Sequence, residues 1–81
     1  MGNLKKLFQK AISKPNNLSF EDACSLAECI GFEFKRQKGD HKIFKNPKLK
    51  NEIINLQNVS GKAKPYQVKQ LLKIIEKYNL T

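Results

Sequence analysis

The sequence predicts a single α+β domain in which two helices cover one face of a three-stranded antiparallel sheet. Apolar residues recur at helical spacing in residues 20–30 and 68–78, whereas the segment between them alternates apolar with polar residues and contains turn-forming ones. A chain of 81 residues seldom divides into two cores. Because a small sheet buries a face only when other elements cover it, the two helices are the expected covers.

An additional amphipathic helix is expected before this domain, with Asn3 as its candidate cap. Its apolar stripe consists of Leu4, Leu7, Phe8, Ala11 and Ile12. Ser13 to Asn17 form a linker, so we divide the chain into a helix and linker at 1–17 and a main domain at 18–81. The stripe packs on the domain or on a second copy. Binding to a membrane surface is the weaker alternative, because so short a helix would bind lipid weakly.

The first helix of the main domain has clear start and stop signals. Ser19 with Asp22 three residues later is typical of a helix N-terminus, and Gly31 suits the left-handed position after its end. Cys24 and Cys29 are five residues apart and would point in different directions from a helix, so we expect reduced, packing cysteines. With no signal peptide or long apolar run, a cytoplasmic protein is expected. The sequence suggests no metal site and no cofactor.

The sheet is expected to be a meander of three strands. Residues 32–37, 41–45 and 52–57 are the predicted strands, 38–40 a tight turn, 58–64 a polar loop, and a last helix begins at Pro65. Phe32, Phe34 and Phe44 lie at alternating strand positions, which favours the core over base stacking. This helix–strand–strand–strand–helix order is the layout of double-stranded-RNA-binding domains and their relatives.

The formal charge of +9 favours a polyanionic partner, nucleic acid first and anionic membrane second. Seven of the sixteen basic residues lie between Lys35 and Lys50, where Asp40 is the only acid. The candidate phosphate-binding residues are Lys35, Arg36, Lys38, Lys42 and Lys45. Six lysines outside this group are expected to serve only solubility, namely Lys48, Lys50, Lys62, Lys69, Lys73 and Lys77. A domain this small does not suit an enzyme with a deep cleft.

His41 is the only histidine of the chain and follows the turn residues Gly39 and Asp40. RNA cleavage without a metal needs a group that removes the proton of a ribose 2′-OH, together with positive charge near the phosphorus, and histidine titrates near neutral pH. Arg36, Lys38 and Lys42 are candidates for the positive charge. Considered alone, a single histidine on a hairpin is more often an ordinary polar residue.

Several short motifs resemble HicA-type toxins. They are Gly31-Phe32-Glu33-Phe34, Arg36-Gln37-Lys38-Gly39-Asp40-His41, Ile43-Phe44-Lys45-Asn46-Pro47, Lys64-Pro65, and Leu71 with Leu72. The resemblance covers about residues 18–80 and agrees with the predicted elements in order and spacing.

This resemblance implies a small bacterial mRNA interferase with a double-stranded-RNA-binding-like fold, neutralised by a HicB-like antitoxin that covers the histidine and the basic hairpin. A Gly-Ser-His turn supplies the catalytic histidine in that family, and the position carries over to His41. Here Asp40 replaces the serine, and Lys42 stands where many members have a second histidine. Asp40 could orient the imidazole or repel RNA phosphates, and the sequence leaves both open.

Two alternatives to a nuclease toxin stay open. One is a non-catalytic RNA-binding module with the same fold and basic surface. The other is an interaction protein whose first helix, Leu4 to Ile12, docks a partner or lipid. The cleavage preference and the oligomeric state are not predicted.

Overall fold

The computed structural model describes residues 4–80, and the candidate cap Asn3 lies outside them. The helices and strands in chain order are α1 (Leu4–Ser13), α2 (Phe20–Cys29), β1 (Glu33–Lys38), β2 (His41–Asn46), β3 (Leu49–Val59), β4 (Lys62–Ala63) and α3 (Pro65–Lys77). The strands form one antiparallel sheet in the order β1-β2-β3-β4. This is the predicted α+β fold of the double-stranded-RNA-binding type, with α1 added before it.

The sheet has four strands and not the three that were predicted. The additional strand is the short β4. Part of the expected polar loop 58–64 is the end of β3 followed by β4, which pairs through Asn58 with Ala63 and Val59 with Lys62. Backbone bonds connect this hairpin to the start of α2, since the Ala63 N–H donates to the Leu18 carbonyl at 3.0 Å. Pairing across the two-residue Ser60-Gly61 turn, together with the bond to Leu18, overrides the polar composition of a stretch this short.

All three helices lie on the same side of the sheet. α2 and α3 pack on the strands, and α1 packs on these two helices as an outer layer. Phe32 and Phe44 are 2% and 1% exposed and anchor the core. Burial of each such ring contributes about 2–3 kcal/mol.

Two predictions about buried side chains are wrong in part. Phe34 is 46% exposed, because it lies on the outermost strand, where its ring meets that of Phe44 in an edge-to-face arrangement. Cys29 is exposed at the end of α2, whereas Cys24 is half-buried, and burial raises the pKa of its thiol to about 11. Both thiols are free.

The apolar stripe of α1 is used within the domain. Leu7 and Ala11 are buried, and Leu4 and Phe8 pack against the core, which confirms that the helix packs on its own domain. Only Ile12 is largely exposed among the stripe residues, at 49%. Among the described residues, no helix is long and apolar enough to cross a membrane.

The predicted ends of α2 are confirmed. The Asp22 backbone N–H donates to Ser19 Oγ at 3.1 Å, so the serine satisfies an amide that lacks a helical partner. Gly31 has φ +96°, which a side chain would strain. A Cβ at this position would also lie 3.2 Å from Nδ2 of the buried Asn46.

The C-terminal end of α3 is held to β3 through Glu52. Its carboxylate accepts from Tyr78 Oη at 2.6 Å and from Lys77 Nζ at 3.2 Å. The tyrosine hydroxyl, and after it the lysine, hold the pKa of Glu52 below its ordinary value of 4.5. Stability from this group is therefore present above about pH 4.5 and is lost as the pH falls through the lower pKa of the folded state.

Glu52→Gln is expected to lower the melting temperature at pH 7, because the neutral amide cannot form the ion pair with Lys77. The deficit should shrink as the pH is lowered below 4.5, where the parent carboxylate is also protonated. Thermal unfolding at a series of pH values tests this. Glu76→Gln is the matched control on the exposed side of α3, and an identical pH dependence for all three proteins would contradict the assignment.

Candidate functional site

A two-residue turn, Gly39-Asp40, joins β1 to β2 and places His41 at the first position of β2. Gly39 has φ +60°, a conformation that glycine adopts readily. Two further bonds fix the turn: Gln37 Nε2 donates to the Gly39 carbonyl, and the Asn58 N–H donates to the Asp40 carbonyl, both at 3.1 Å. The turn therefore holds His41 in a defined place.

Strand alternation determines which face His41 occupies. Successive side chains of a strand point to opposite faces, so His41 lies on the face opposite to Lys42 and Phe44. Phe44 is buried beneath the helices. His41 is half-buried on the face of the sheet that the helices leave open, which we call the open face. It consists of Glu33, Arg36 and Lys38 on β1, His41, Ile43 and Lys45 on β2, and Ile53, Asn55 and Gln57 on β3.

Asn55 orients the imidazole of His41. His41 Nδ1 lies 2.9 Å from Asn55 Oδ1, diagonally across the β2–β3 pair. An amide oxygen only accepts hydrogen bonds, so Nδ1 carries the proton in this contact. The neutral ring then keeps its lone pair on Nε2. This is the tautomer that can remove a proton from a ligand on the open face.

The sequence analysis missed Asn55. Its one signal is a polar residue in an otherwise apolar stretch, with the apolar Ile54 and Leu56 on either side of it. That pattern places Asn55 on the open face but does not place it beside His41. The neighbour follows only from the register, in which His41 pairs with Gln57 and Ile43 with Asn55.

Three of the predicted basic residues share the open face with His41. Lys38 is its direct partner on β1, at a Cβ separation of about 5 Å for such pairs. Arg36 lies in the next cross-strand pair of this face, opposite Ile43. Lys45 lies in the pair after that, opposite Glu33. Positive charge on this face is therefore greatest near the histidine and weaker at the far end, where Glu33 reduces it.

The other two basic candidates are not brought to His41. Lys35 lies at a bulge in β1 and forms an exposed ion pair with Glu33 at 3.2 Å. Lys42 lies on the helix side of the sheet, where its Nζ is 5.5 Å from the ring centre of Phe20 and 5.7 Å from that of Phe34. Lys42 is therefore placed to bind a ligand at another surface than the histidine.

Asp40 is exposed in the turn, and both of its expected roles stay predictions. The imidazole is oriented by Asn55, and within residues 4–80 the carboxylate of Asp40 makes no hydrogen bond or ion pair.

No group of three or more His, Cys, Asp or Glu among these residues is arranged to hold a metal ion.

The fold and site together define a double-stranded-RNA-binding-like domain with a basic open face and one oriented histidine. The family model of the HicA toxin of bacterial toxin-antitoxin systems matches residues 20–76, and the chain belongs to this family. Membership implies a partner in a toxin-antitoxin pair. Comparisons with curated proteins and with solved structures gave no significant match. The family match begins after α1 and its linker.

Proposed function

We propose that this protein is the toxin of a type II toxin-antitoxin system and cuts mRNA as a metal-independent endoribonuclease in the cytoplasm. The observation that carries the proposal is the contact between His41 and Asn55 on the open face. It leaves Nε2 as a base beside Lys38, in a chain of the HicA toxin family.

The proposed reaction uses the 2′-OH of the substrate as the nucleophile. His41 Nε2 takes the proton of this hydroxyl, the 2′-oxygen bonds to the adjacent phosphorus, and the bond from phosphorus to the 5′-oxygen breaks. The leaving oxygen takes a proton from water, and the protonated His41 gives its proton to the hydroxide that forms, so the products are a 2′,3′-cyclic phosphate, a 5′-hydroxyl and the restored neutral histidine. Lys38 and Arg36 stabilise the added negative charge of the transition state. Lys45 binds a more distant phosphate.

The open face also suggests how the toxin is neutralised. A HicB-like antitoxin that covers His41, Lys38 and Arg36 would block RNA and bury the most basic part of the sheet. Acidic groups of the antitoxin would suit this surface, because the chain carries a net charge of +9.

A non-catalytic RNA-binding module is the second candidate. It is favoured by the position of Lys42 on the helix side of the sheet. Lys38 and Arg36 are then the only basic residues in the two cross-strand pairs nearest to His41. Such a surface can bind phosphates without promoting their cleavage. Binding would weaken steeply as the salt concentration rises, and no fragments would form.

Incubation of the purified protein with a defined mRNA, with and without EDTA, separates the two candidates. We expect the same fragments in both conditions, with 5′-hydroxyl ends that polynucleotide kinase can label directly. Salt-sensitive binding without fragments would support the second candidate. Loss of cleavage in EDTA, or 5′-phosphate ends, would contradict the proposed chemistry.

A further inference from the structure

A cleft lies on the helix side of the sheet, beside the β1–β2 turn. His41 follows the same turn but lies on the opposite face of the sheet. The cleft has a volume of about 510 Å³ and lies between the β1–β2 turn and the turn after β3. Its polar lining residues are Gln37, Asp40, Lys42, Asn58 and Ser60, and the ring of Phe20 contributes apolar surface. This volume is within the range of small-molecule binding sites.

Several polar groups in this cleft have bonding capacity left. The carboxylate of Asp40 makes no bond within residues 4–80, and the ammonium of Lys42 contacts only aromatic rings there. Gln37 uses its amide nitrogen in the turn and keeps its oxygen, whereas Asn58 uses its oxygen on Gly61 and keeps its nitrogen. The cleft thus offers a carboxylate and an amide oxygen as acceptors, and an ammonium and an amide nitrogen as donors.

The cleft is open to solvent at Gly39 and Gly61, which have no side chains to cover it. A Cβ added at Gly39 or at Gly61 would meet no atom within 4 Å. A flat group can therefore approach the Asp40 and Lys42 side chains from solvent over either turn.

This set of groups complements guanine. The guanine N1–H and N2–H₂ are neighbouring donors that one carboxylate can accept together, and O6 and N7 are acceptors for a lysine. Adenine, cytosine and uracil each lack the pair of adjacent donors that a carboxylate requires. Asp40 therefore faces a base without the repulsion it would exert on a phosphate.

The cleft is also adjacent to the proposed reaction site. Asp40 and His41 are consecutive, so their Cα atoms are about 3.8 Å apart, while Asp40 lines the cleft and His41 lies on the open face. A single strand that crosses the end of the hairpin can place its base in the cleft and its phosphate beside the histidine. We propose that the cleft binds a guanine base of single-stranded RNA next to the bond that His41 cleaves, an inference that rests on the proposed function.

Binding by the His41→Ala variant tests the subsite without cleavage. The probes are short oligoribonucleotides of uridine that carry one central guanine, adenine or cytosine, or only uridine. We expect the guanine probe to bind about tenfold more tightly than the others, as for a good two-point contact to a base. Adding Asp40→Asn should remove this preference, because an amide cannot accept both guanine donors.

Glu33→Gln, added to His41→Ala in the same way, is the matched control, since it removes an exposed negative charge outside the cleft. It should retain the guanine preference. Equal binding of all four probes by His41→Ala, or an unchanged preference in the Asp40→Asn variant, would overturn the subsite. Guanine preference in a protein whose parent cuts no RNA would support the base site and reject the cleavage function, so the two failures are distinguishable.

Discussion

Replacement of His41 by alanine is expected to abolish growth arrest on expression and to lower RNA cleavage by about 10²–10⁴-fold. This range is the usual contribution of a positioned general base. The fold should persist, because the side chain is half-buried on the open face, and its hydrogen bond is to another residue of that face. Cleavage rates and colony counts after induction measure the effect.

Lys69→Ala is the control for this experiment, since it changes an exposed side chain on α3 away from the open face. It should leave both toxicity and cleavage near the parent values. Circular dichroism and thermal unfolding should show that the His41→Ala variant is folded. Toxicity of this variant equal to that of the parent would reject His41 as the catalytic residue.

Asn55→Leu is expected to have the second largest effect, a loss of about 10–100-fold in cleavage. The leucine cannot accept the Nδ1 proton, so the imidazole is free to adopt the other tautomer and other orientations. Polar partners that orient a functional histidine at a metal site contribute a similar amount. The loss should appear mainly in kcat, since Asn55 acts through His41 and we assign it no contact with RNA.

Asn55→Asp separates a positioning role from a merely structural one. A carboxylate still accepts from Nδ1 and favours the charged ring, so activity should be partly restored and the acid limb of the pH–rate profile should move to higher pH. Asn51→Leu is the matched control on the same strand. If Asn55→Leu cleaves as fast as this control, Asn55 has no part in the reaction.

Local signals were sufficient to predict most of the fold. The cap at Ser19, the left-handed Gly31 and the turn at Gly39 depend on residues close in sequence, and each has the predicted conformation. Burial of Phe32 and Phe44 followed from alternation and is confirmed. The short β4 was missed although its partners in β3, Asn58 and Val59, are close in the sequence, because only its second partner, Leu18, is distant.

The candidate site was predicted only in part, because it depends on strand register. Arg36, Lys38 and Lys45 lie on the same face as His41, and their roles stay predictions. The separation of Lys42 from the histidine could have been predicted, since consecutive residues of a strand point to opposite faces. The contact with Asn55 could not, because it requires the pairing of two strands whose partners are 14 positions apart in the sequence. The division of the chain at residue 17 also stays a prediction.

The two-residue turn makes the length of the hairpin as important as its composition. Because strand side chains alternate, a shift of β2 by one position would exchange the surfaces of His41 and Lys42 and remove the histidine from Asn55. The same shift would move Phe44 out of the core. A single insertion or deletion at Gly39-Asp40 would thus impair cleavage and folding together, whereas most substitutions at the tip would spare folding. Turn length therefore links the proposed cleavage to the stability of the fold.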